Sequence, residues 1–484
     1  MCIPLIPQTI SAMTETILSN MTHSTIAAIS TPPHAKGGVA IIRISGPDAL
    51  AVAGRVFIPR GKTELCKERA RYAIFGDITY EGRIIDDGLA TYFPAPHSYT
   101  GEDVVEISCH GGVLVTRMVL RASLAAGADM AEAGEFTRRA FVNGRLSLGE
   151  AESIGQLLDA KTEDQVLLHS SRSRQRLKEA IADISDALTS LLASVFARID
   201  YPDEDLGELT HEEIKAVLSG SLLKCEALLR TYKTGSAISL GIPTVICGLA
   251  NAGKSTLFNL LSGEELAIVT DIAGTTRDVL RGEVTLGGVL LKLCDTAGLR
   301  AGDGVDTVEK IGIERALEAI DSAELVLALF DKDALGCSEN EALAERISGM
   351  GNVRLALITK CDADSTQSVP QYISSRFDEV FFISAKERPD EAKRLISDKI
   401  SSLFTDGSVV LGEDAIISDE RQRASLTRAC ESIRLAIASI EAGAPEEIIA
   451  SDIERATQEL LMLDGRAVSE AVVGEIFKRF CVGK

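Results

Sequence analysis

No stretch of eighteen consecutive apolar residues occurs in this 484-residue chain, which argues against a membrane span. The first twenty residues contain no Lys or Arg and only a short apolar beginning, so neither a secretory nor a transit signal is expected, and Met21 is as good a start as Met1. Ten cysteines, at positions 2, 66, 109, 225, 247, 294, 337, 361, 430 and 481, include no C-x-x-C and no pairing with histidine at zinc spacing. A reduced, cytoplasmic protein is the expectation. Positive charge is in short supply: 50 Lys and Arg against 71 Asp and Glu leave a net charge of −21. Such a chain does not bind nucleic acid through bulk counterion release, so any RNA contact needs a local basic patch or a basic partner. The run 172–178, which holds Arg172, Arg174, Arg176 and Lys178, has the composition of such a patch, although a solvated helix face is the favoured reading.

What the sequence does contain is Gly248-Leu249-Ala250-Asn251-Ala252-Gly253-Lys254-Ser255, which fits G-x-x-x-x-G-K-[ST]. It lies between an apolar run at 243–247 and a helix-like one at 256–261, the order of strand, loop and helix that the pattern requires. Glycines let successive backbone N–H groups turn toward one concavity, where they and the N-terminus of the next helix favour phosphate oxygens. Lys254 adds a point charge and Ser255 a Mg²⁺ ligand. The implied ligand is a nucleoside triphosphate held through Asn251, Ala252, Gly253, Lys254, Ser255 and Thr256.

Partner motifs follow in order. Asp295-Thr296-Ala297-Gly298 closes an apolar strand at 289–294, placing a carboxylate by the metal's water shell and a glycine N–H by the γ-phosphate. Thr359-Lys360-Cys361-Asp362 closes the strand 354–358, and Ser384-Ala385-Lys386 closes 379–383. A carboxylate at 362 can accept both the N1 and N2 protons of guanine; adenine would leave it a buried unpaired acceptor at a cost of about 1–3 kcal/mol. GTP is therefore favoured over ATP. The set resembles the first, third, fourth and fifth motifs of GTPases, except that Thr359 stands where Asn is usual. Guanine selectivity is expected to survive through Asp362, with looser anchoring of the loop. Between the first two motifs lies Thr270-Asp271-Ile272-Ala273-Gly274-Thr275-Thr276-Arg277-Asp278, a natural switch, since a threonine here can complete Mg²⁺ coordination only while the γ-phosphate is present. Leu299-Arg300 follows Gly298, where simple Ras-like switches place a water-orienting glutamine, so another group is needed.

Length suggests about three domains, and the periodicity divides the chain accordingly into a multidomain α/β protein. Residues 22–145 alternate β-rich runs (39–44, 89–93, 104–108) with turns and a helical stretch at 112–126, an α+β domain. Its segments 93–103 and 106–112 are dense in turn formers and polar groups, as binding loops are. Residues 146–240 are helical: Leu177, Ile181, Ile184, Leu188, Leu191, Val195 and Ile199 form one stripe, and a second amphipathic stretch runs from 211 to 232 and breaks off at Gly235. Residues 241–406 supply strands at 243–247, 278–286, 289–294, 325–330, 354–358 and 379–383 between helices, implying a largely parallel, Ras-like sheet. Helical periodicity resumes over 407–484, at 421–442, 446–463 and 466–480. These last helices make a poor core alone, so the expectation is that they pack with 146–240 and that the GTPase domain is inserted into one discontinuous helical domain. A separate C-terminal domain is the alternative.

Asn251 in the loop, Gly274-Thr275-Thr276-Arg277-Asp278, and Val308-Glu309-Lys310-Ile311-Gly312-Ile313-Glu314 together resemble the tRNA-modification GTPase family MnmE (TrmE), among the TrmE-Era-EngA-like GTPases. The likeness extends to Gly134-Glu135-Phe136-Thr137-Arg138-Arg139-Ala140-Phe141-Val142-Asn143-Gly144, Ala151-Glu152 and the terminal Phe480-Cys481-Val482-Gly483-Lys484. It implies a K⁺-dependent GTPase that, as a homodimer and with an FAD-containing partner (MnmG, or GidA) in a heterotetramer, adds a carboxymethylaminomethyl or aminomethyl group to C5 of wobble uridine in tRNA. It implies K⁺ held by Asn251, Thr270, Ile272 and Thr275, Mg²⁺ by Ser255 and Thr276, and a water-orienting Glu309. It also implies that the N-terminal domain binds 5-formyl- or 5,10-methylene-tetrahydrofolate through Arg43, Glu106, Arg145 (usually Lys) and Lys484, with Cys481 as a candidate reactive thiol. His97 and Gln422 depart from the family's usual Asn and His. Two other readings are a ribosome-assembly GTPase switch, which should bind no folate, and a scaffold with a degenerate nucleotide site, which Lys254→Ala would leave working.

Overall fold

The computed structural model of the chain describes residues 24–32, 37–61, 64–201, 209–249, 251–262, 281–295, 320–349, 353–361, 368–405, 407, 409–464, 476–477, 480 and 483. The chain separates into two units, residues 1–155 with 461–484 and residues 156–460.

The first unit is built on β1 (Ile26–Ile29), β2 (Val39–Ser45), α1 (Ala49–Val56), β3 (Phe57–Pro59), β4 (Ala73–Tyr80), β5 (Arg83–Phe93), β6 (Val104–His110), α2 (Val113–Ala125) and β7 (Asp129–Met130). Its seven strands run in the order β3-β4-β5-β6-β2-β1-β7, antiparallel except where β1 meets β7. Along β4 exposure alternates, with Ile74 and Ile78 buried and Ala73 and Phe75 exposed, as expected of a sheet covered by helices on one face. Val52, Val56, Val119 and Leu120 from α1 and α2 pack on Ile42, Ile44, Ile78, Tyr92 and Ile107 to make that core. Two helices follow, α3 (Glu135–Val142) and α4 (Leu148–Leu158). Gly134, at φ +67, precedes α3 at a point where a Cβ would lie 2.4 Å from the Phe477 carbonyl oxygen. Phe477 closes a small cluster with Leu148 and Ala151, separate from the sheet core, so residues near the C-terminus pack within the first unit.

The second unit begins with α5 (Glu163–Leu168), α6 (Ser171–Asp200) and α7 (His211–Leu240). Thr210 opens α7 with a capping box completed by Glu213. The expected stripe of α6 is present, with Ile181, Ile184, Leu188, Leu191 and Val195 buried and Leu177 and Ile199 partly so. By length and composition alone this helix could cross a membrane; one stripe of its apolar side chains is packed inside the protein, while Phe196 is exposed. The basic run at its start behaves as a helix surface: Arg172 pairs with Glu413, Arg176 with Glu179, and Arg174 Nη1 donates to His169 O at 2.7 Å. Gly235 does not end α7, contrary to the periodicity. It lies mid-helix because a Cβ there would stand 2.2 Å from Ile417 O, so the residue that reads as a breaker admits a neighbouring chain.

From α7 the chain enters β8 (Ile242–Gly248), then α8 (Lys254–Ser262), β9 (Arg281–Leu286), β10 (Val289–Asp295), β11 (Leu325–Asp331), α9 (Ser338–Ser348), β12 (Val353–Thr359), α10 (Gln371–Ser374), β13 (Glu379–Phe382) and α11 (Pro389–Phe404). Their sheet has the order β13-β12-β11-β8-β10-β9, parallel except for the β9–β10 pair. Strands such as β11, buried from Leu325 through Phe330, read as unbroken apolar runs because both sheet faces are covered. The chain ends this unit in α12 (Glu420–Glu441) and most of α13 (Glu446–Asp464). α12 lies against α7: Glu226 pairs with Arg434, Lys215 with Glu441, and Tyr232 Oη donates to Glu420 at 2.8 Å. Helices from both sides of the inserted sheet thus pack together through α7 and α12, whereas residues 146–155 and 461–484, expected in that same helical domain, group with the N-terminal unit.

Candidate functional site

The parallel strands β8, β10, β11 and β12 all point their carboxyl ends to one edge, and the sheet order reverses direction at β8, which places a crevice there. The phosphate-loop motif leaves β8 at that point. Gly248 takes φ +152, where a Cβ would be 2.6 Å from Leu329 O; Gly253 takes φ +94 and Asn251 φ +61. Glycine is needed at the first of these because neither the backbone angle nor the space admits a side chain. Lys254, the first residue of α8, donates from Nζ to the carbonyls of Gly248 (2.8 Å) and Leu249 (2.7 Å), so the charge lies over the loop's own backbone. Behind the loop, burial pushes the Cys247 thiol up to about 12, which keeps it unreactive.

Thr359, the last residue of β12, is buried, and its hydroxyl donates to Ala252 O in the phosphate loop at 2.9 Å, with Phe330 O at 3.3 Å. The motif residue that departs from Asn therefore still reaches the loop through its hydroxyl. Lys360, at φ +61, reaches back to pair with Asp331 at the end of β11. Cys361 N donates to Ile383 O, bringing the fourth motif beside the fifth, where Ser384 is buried and its Oγ accepts from Glu387 N at 3.2 Å. Ala385 and Lys386 continue from there toward α11. Asn251, Ala252, Gly253, Lys254, Ser255, Thr256, Thr359 and Lys360 are thus gathered at one sheet edge. Asp295 ends β10 at the same edge, paired in register with Ile246. Thr270, Ile272, Thr275, Thr276, Thr296, Ala297, Gly298, Glu309 and Asp362 lie outside the described residues, as do Cys481 and Lys484.

In the first unit, strand register sets Arg43 of β2 opposite Glu106 of β6. Arg43 donates to Glu106 Oε1 from Nη2 at 2.8 Å and from Nε at 2.9 Å, and its guanidinium lies 4.9 Å from the Tyr99 ring centroid and 5.7 Å from that of Phe136. Arg145 joins them through the loop that carries Tyr99, since its Nε donates to Ser98 O at 3.2 Å. Sequence reasoning missed what stands behind this group. Arg139 is buried, bonded to Glu135 (2.8 Å), to both oxygens of Glu102 (3.2 Å each) and to Ser24 O (2.7 Å), while Ser45 Oγ donates to Glu102 at 2.7 Å. Its signal in sequence is an arginine and a glutamate four apart on one short helix, α3.

A phosphate loop at the switch point of a Ras-like sheet, followed in order by the remaining strand-end motifs, defines a P-loop GTPase. Residues 25–145 match the family described as "GTP-binding protein TrmE N-terminus", and residues 148–481 the "MnmE helical domain". The protein named tRNA modification GTPase MnmE from Carboxydothermus hydrogenoformans is 36% identical over 468 residues, covering 96% of this chain and all of its own. That of Symbiobacterium thermophilum is 39% identical over 470 residues, with the same coverage of each. The chain belongs to the MnmE family of tRNA modification GTPases. Among solved structures, Aquifex aeolicus Era bound to GDP and AlF4⁻ matches 40% of this chain and 66% of its own at 24% identity, with a TM-score of 0.27.

Proposed function

We infer that this protein hydrolyses GTP in the service of tRNA modification, and that the modified position is C5 of the wobble uridine. The observation that carries the reading is a near-complete alignment with tRNA modification GTPases, covering 96% of this chain and all of theirs, around a phosphate loop whose glycines and lysine are in place. Ser255 and Thr276 would hold Mg²⁺. Asn251, with Thr270, Ile272 and Thr275, would hold K⁺: amide, hydroxyl and backbone carbonyl oxygens are hard, uncharged donors suited to an alkali ion, and Asn251 occupies the left-handed conformation inside the loop. Such an ion supplies positive charge beside the β/γ bridge, where negative charge develops. The chain's own part is to clamp the phosphates through Gly253 and Lys254, to read guanine through Asp362, and to orient water through Glu309.

The N-terminal unit would bind a formyl- or methylene-tetrahydrofolate as the one-carbon source. Glu106, fixed by two hydrogen bonds from Arg43, presents a carboxylate of the kind that pairs with a pterin's amidine-like edge, the partly exposed Tyr99 supplies ring surface, and Arg145 suits the glutamate tail. Gly483 supports a role for its neighbour Lys484, because Ser30 Oγ donates to Gly483 O at 3.1 Å beside β1. Two copies would form a homodimer in the cytoplasm and act with an FAD-containing partner. Nucleoside analysis of tRNA from a strain lacking this chain tests the central claim: the modified wobble uridine should be lost and should return with the wild-type gene. Unaltered nucleosides would reject it.

A further inference from the structure

The basic run expected from sequence is spent on its neighbours, since Arg172 pairs with Glu413 and Arg176 with Glu179. A second cationic segment lies in the first unit. Lys67, Arg69 and Arg71 are exposed on one tight turn between β3 and β4, and none of them makes an ion pair among the described residues. Glu68, the one acid between them, bonds to its own backbone N–H and to the Cys66 side chain. The turn is held from two sides. Arg69 N donates to Cys66 O and Tyr72 N to Arg69 O, at 3.2 Å each. Arg71, in the left-handed conformation at φ +66, donates from its backbone N to Tyr92 O at 2.7 Å and from Nη2 to His97 O at 3.2 Å. A residue other than glycine persists in that conformation only where surrounding contacts fix it. Tyr72 follows, 62% exposed, with the Arg69 guanidinium 6.0 Å from its ring centroid.

The turn leads directly into the sheet that carries Glu106. Strand register sets Ala73 of β4 opposite Thr91, Thr91 opposite Glu106 and Glu106 opposite Arg43, one row across the sheet. Two strand spacings, about 10 Å, therefore separate the start of β4 from Glu106. Cations without acidic partners attract phosphates, and in a chain of net charge −21 a local patch of this kind is what RNA contact requires. An exposed ring among them adds a platform for an unpaired base, a feature that an acidic peptide would not use. We propose that residues 67–72 form an RNA-binding surface of the N-terminal unit: Lys67, Arg69 and Arg71 take phosphates and Tyr72 stacks on an unpaired base, holding the anticodon loop beside Glu106. This rests on the tRNA-modification reading of the chain.

The test is binding of a fluorescein-labelled RNA hairpin, an anticodon stem and loop with uridine at the wobble position, to the full chain by anisotropy across a KCl series. The double variant Lys67→Ala/Arg69→Ala should lower the slope of log K against log salt by about 1.4, two phosphate contacts at about 0.7 each for a single strand. Tyr72→Ala should weaken binding at least about fivefold with the slope unchanged, the loss of one stacked base, and Tyr72→Phe should bind within about twofold of wild type. Arg71 is left in place because it fixes the turn to His97. Melting temperatures show that each variant is folded, and light scattering gives its oligomeric state. Slopes and affinities equal to wild type in both folded alanine variants would overturn the proposal, as would a wild type that binds no hairpin at the lowest salt. A variant with altered mass would also overturn it, because the turn would then be a contact between copies of this chain. Nucleoside analysis separates this surface from the reading beneath it: variants that bind like wild type, in a strain whose modified uridine the wild-type gene restores, reject the surface alone. If the wild-type gene restores nothing, the tRNA reading fails instead.

Discussion

The two sheets of this protein solve the placing of functional groups in opposite ways. In the N-terminal antiparallel sheet, side chains stand on the strands themselves, and strand register alone puts Arg43 opposite Glu106. In the parallel sheet the strands are sealed on both faces, so only the segments beyond their carboxyl ends are free to meet a ligand. The first arrangement is rigid and leaves few marks in sequence; the second is legible as motifs but depends on loops. A corollary is that the first unit can bury charge beside its sheet: Arg139 of α3 has its partners on the same helix, on the 93–103 loop and at Ser24, all fixed by the fold.

The contrast can be broken from either side. Arg139→Met is expected to give the largest effect, because it leaves Glu102 and Glu135, each with a side chain about a tenth exposed, without their cation. Removing one member of a buried pair costs about 3–5 kcal/mol. Hydrogen exchange should then show the N-terminal strands losing protection while the phosphate-loop strand β8 keeps it; uniform protection would refute the claim. Lys254→Ala attacks the other sheet. GTP hydrolysis, followed by phosphate release, should fall at least about 100-fold for loss of a charge preorganised at the phosphates, with N-terminal protection unchanged. A drop below tenfold would show that the loop does not carry the reaction.

Legibility followed the same divide. The strands β8, β10, β11, β12 and β13 agree with the apolar runs to within a residue or two because a doubly buried strand is continuous in hydrophobicity and its motif marks its end. Strand β4 is hard to see in sequence: Gly76 interrupts it, since a Cβ there would lie 2.4 Å from Ile58 O, and exposed Phe75 blurs its alternation. Gly235 has the look of a helix end in sequence, but its meaning is tertiary, a close approach by Ile417. The phosphate loop could be named from eight letters, but the partner of Thr359 lies more than a hundred residues earlier, and no local pattern encodes that distance. Arg139 was visible as a letter in a motif, and only the fold reveals that it neutralises two carboxylates.

The second unit also buries a titratable side chain, and it does so without charge. His169 follows α5, where its Nε2 hydrogen-bonds Ser239 Oγ at 3.0 Å, near the end of the helix that runs into β8. Beside it Gln165 Nε2 donates to Ile238 O at 3.0 Å, so the junction joins the helical layer to the strand bearing the phosphate loop. Burial, with the Arg174 guanidinium beside it, lowers the His169 pKa to about 4 from an ordinary 6.5. Between those values the unfolded chain binds a proton that the folded chain refuses, so stability from the neutral ring is complete above pH 6.5 and declines as pH falls toward 4. The loss at pH 5.5 relative to pH 8 should be about 1.4 kcal/mol. Carboxylates titrate too, so the measurement is the difference between wild type and His169→Gln, which stays neutral at every pH. Urea unfolding of the transition containing α7 should be steeper in pH for wild type by that amount, and equal slopes would mean that the junction accepts a charged ring, making it as tolerant of buried charge as the N-terminal sheet.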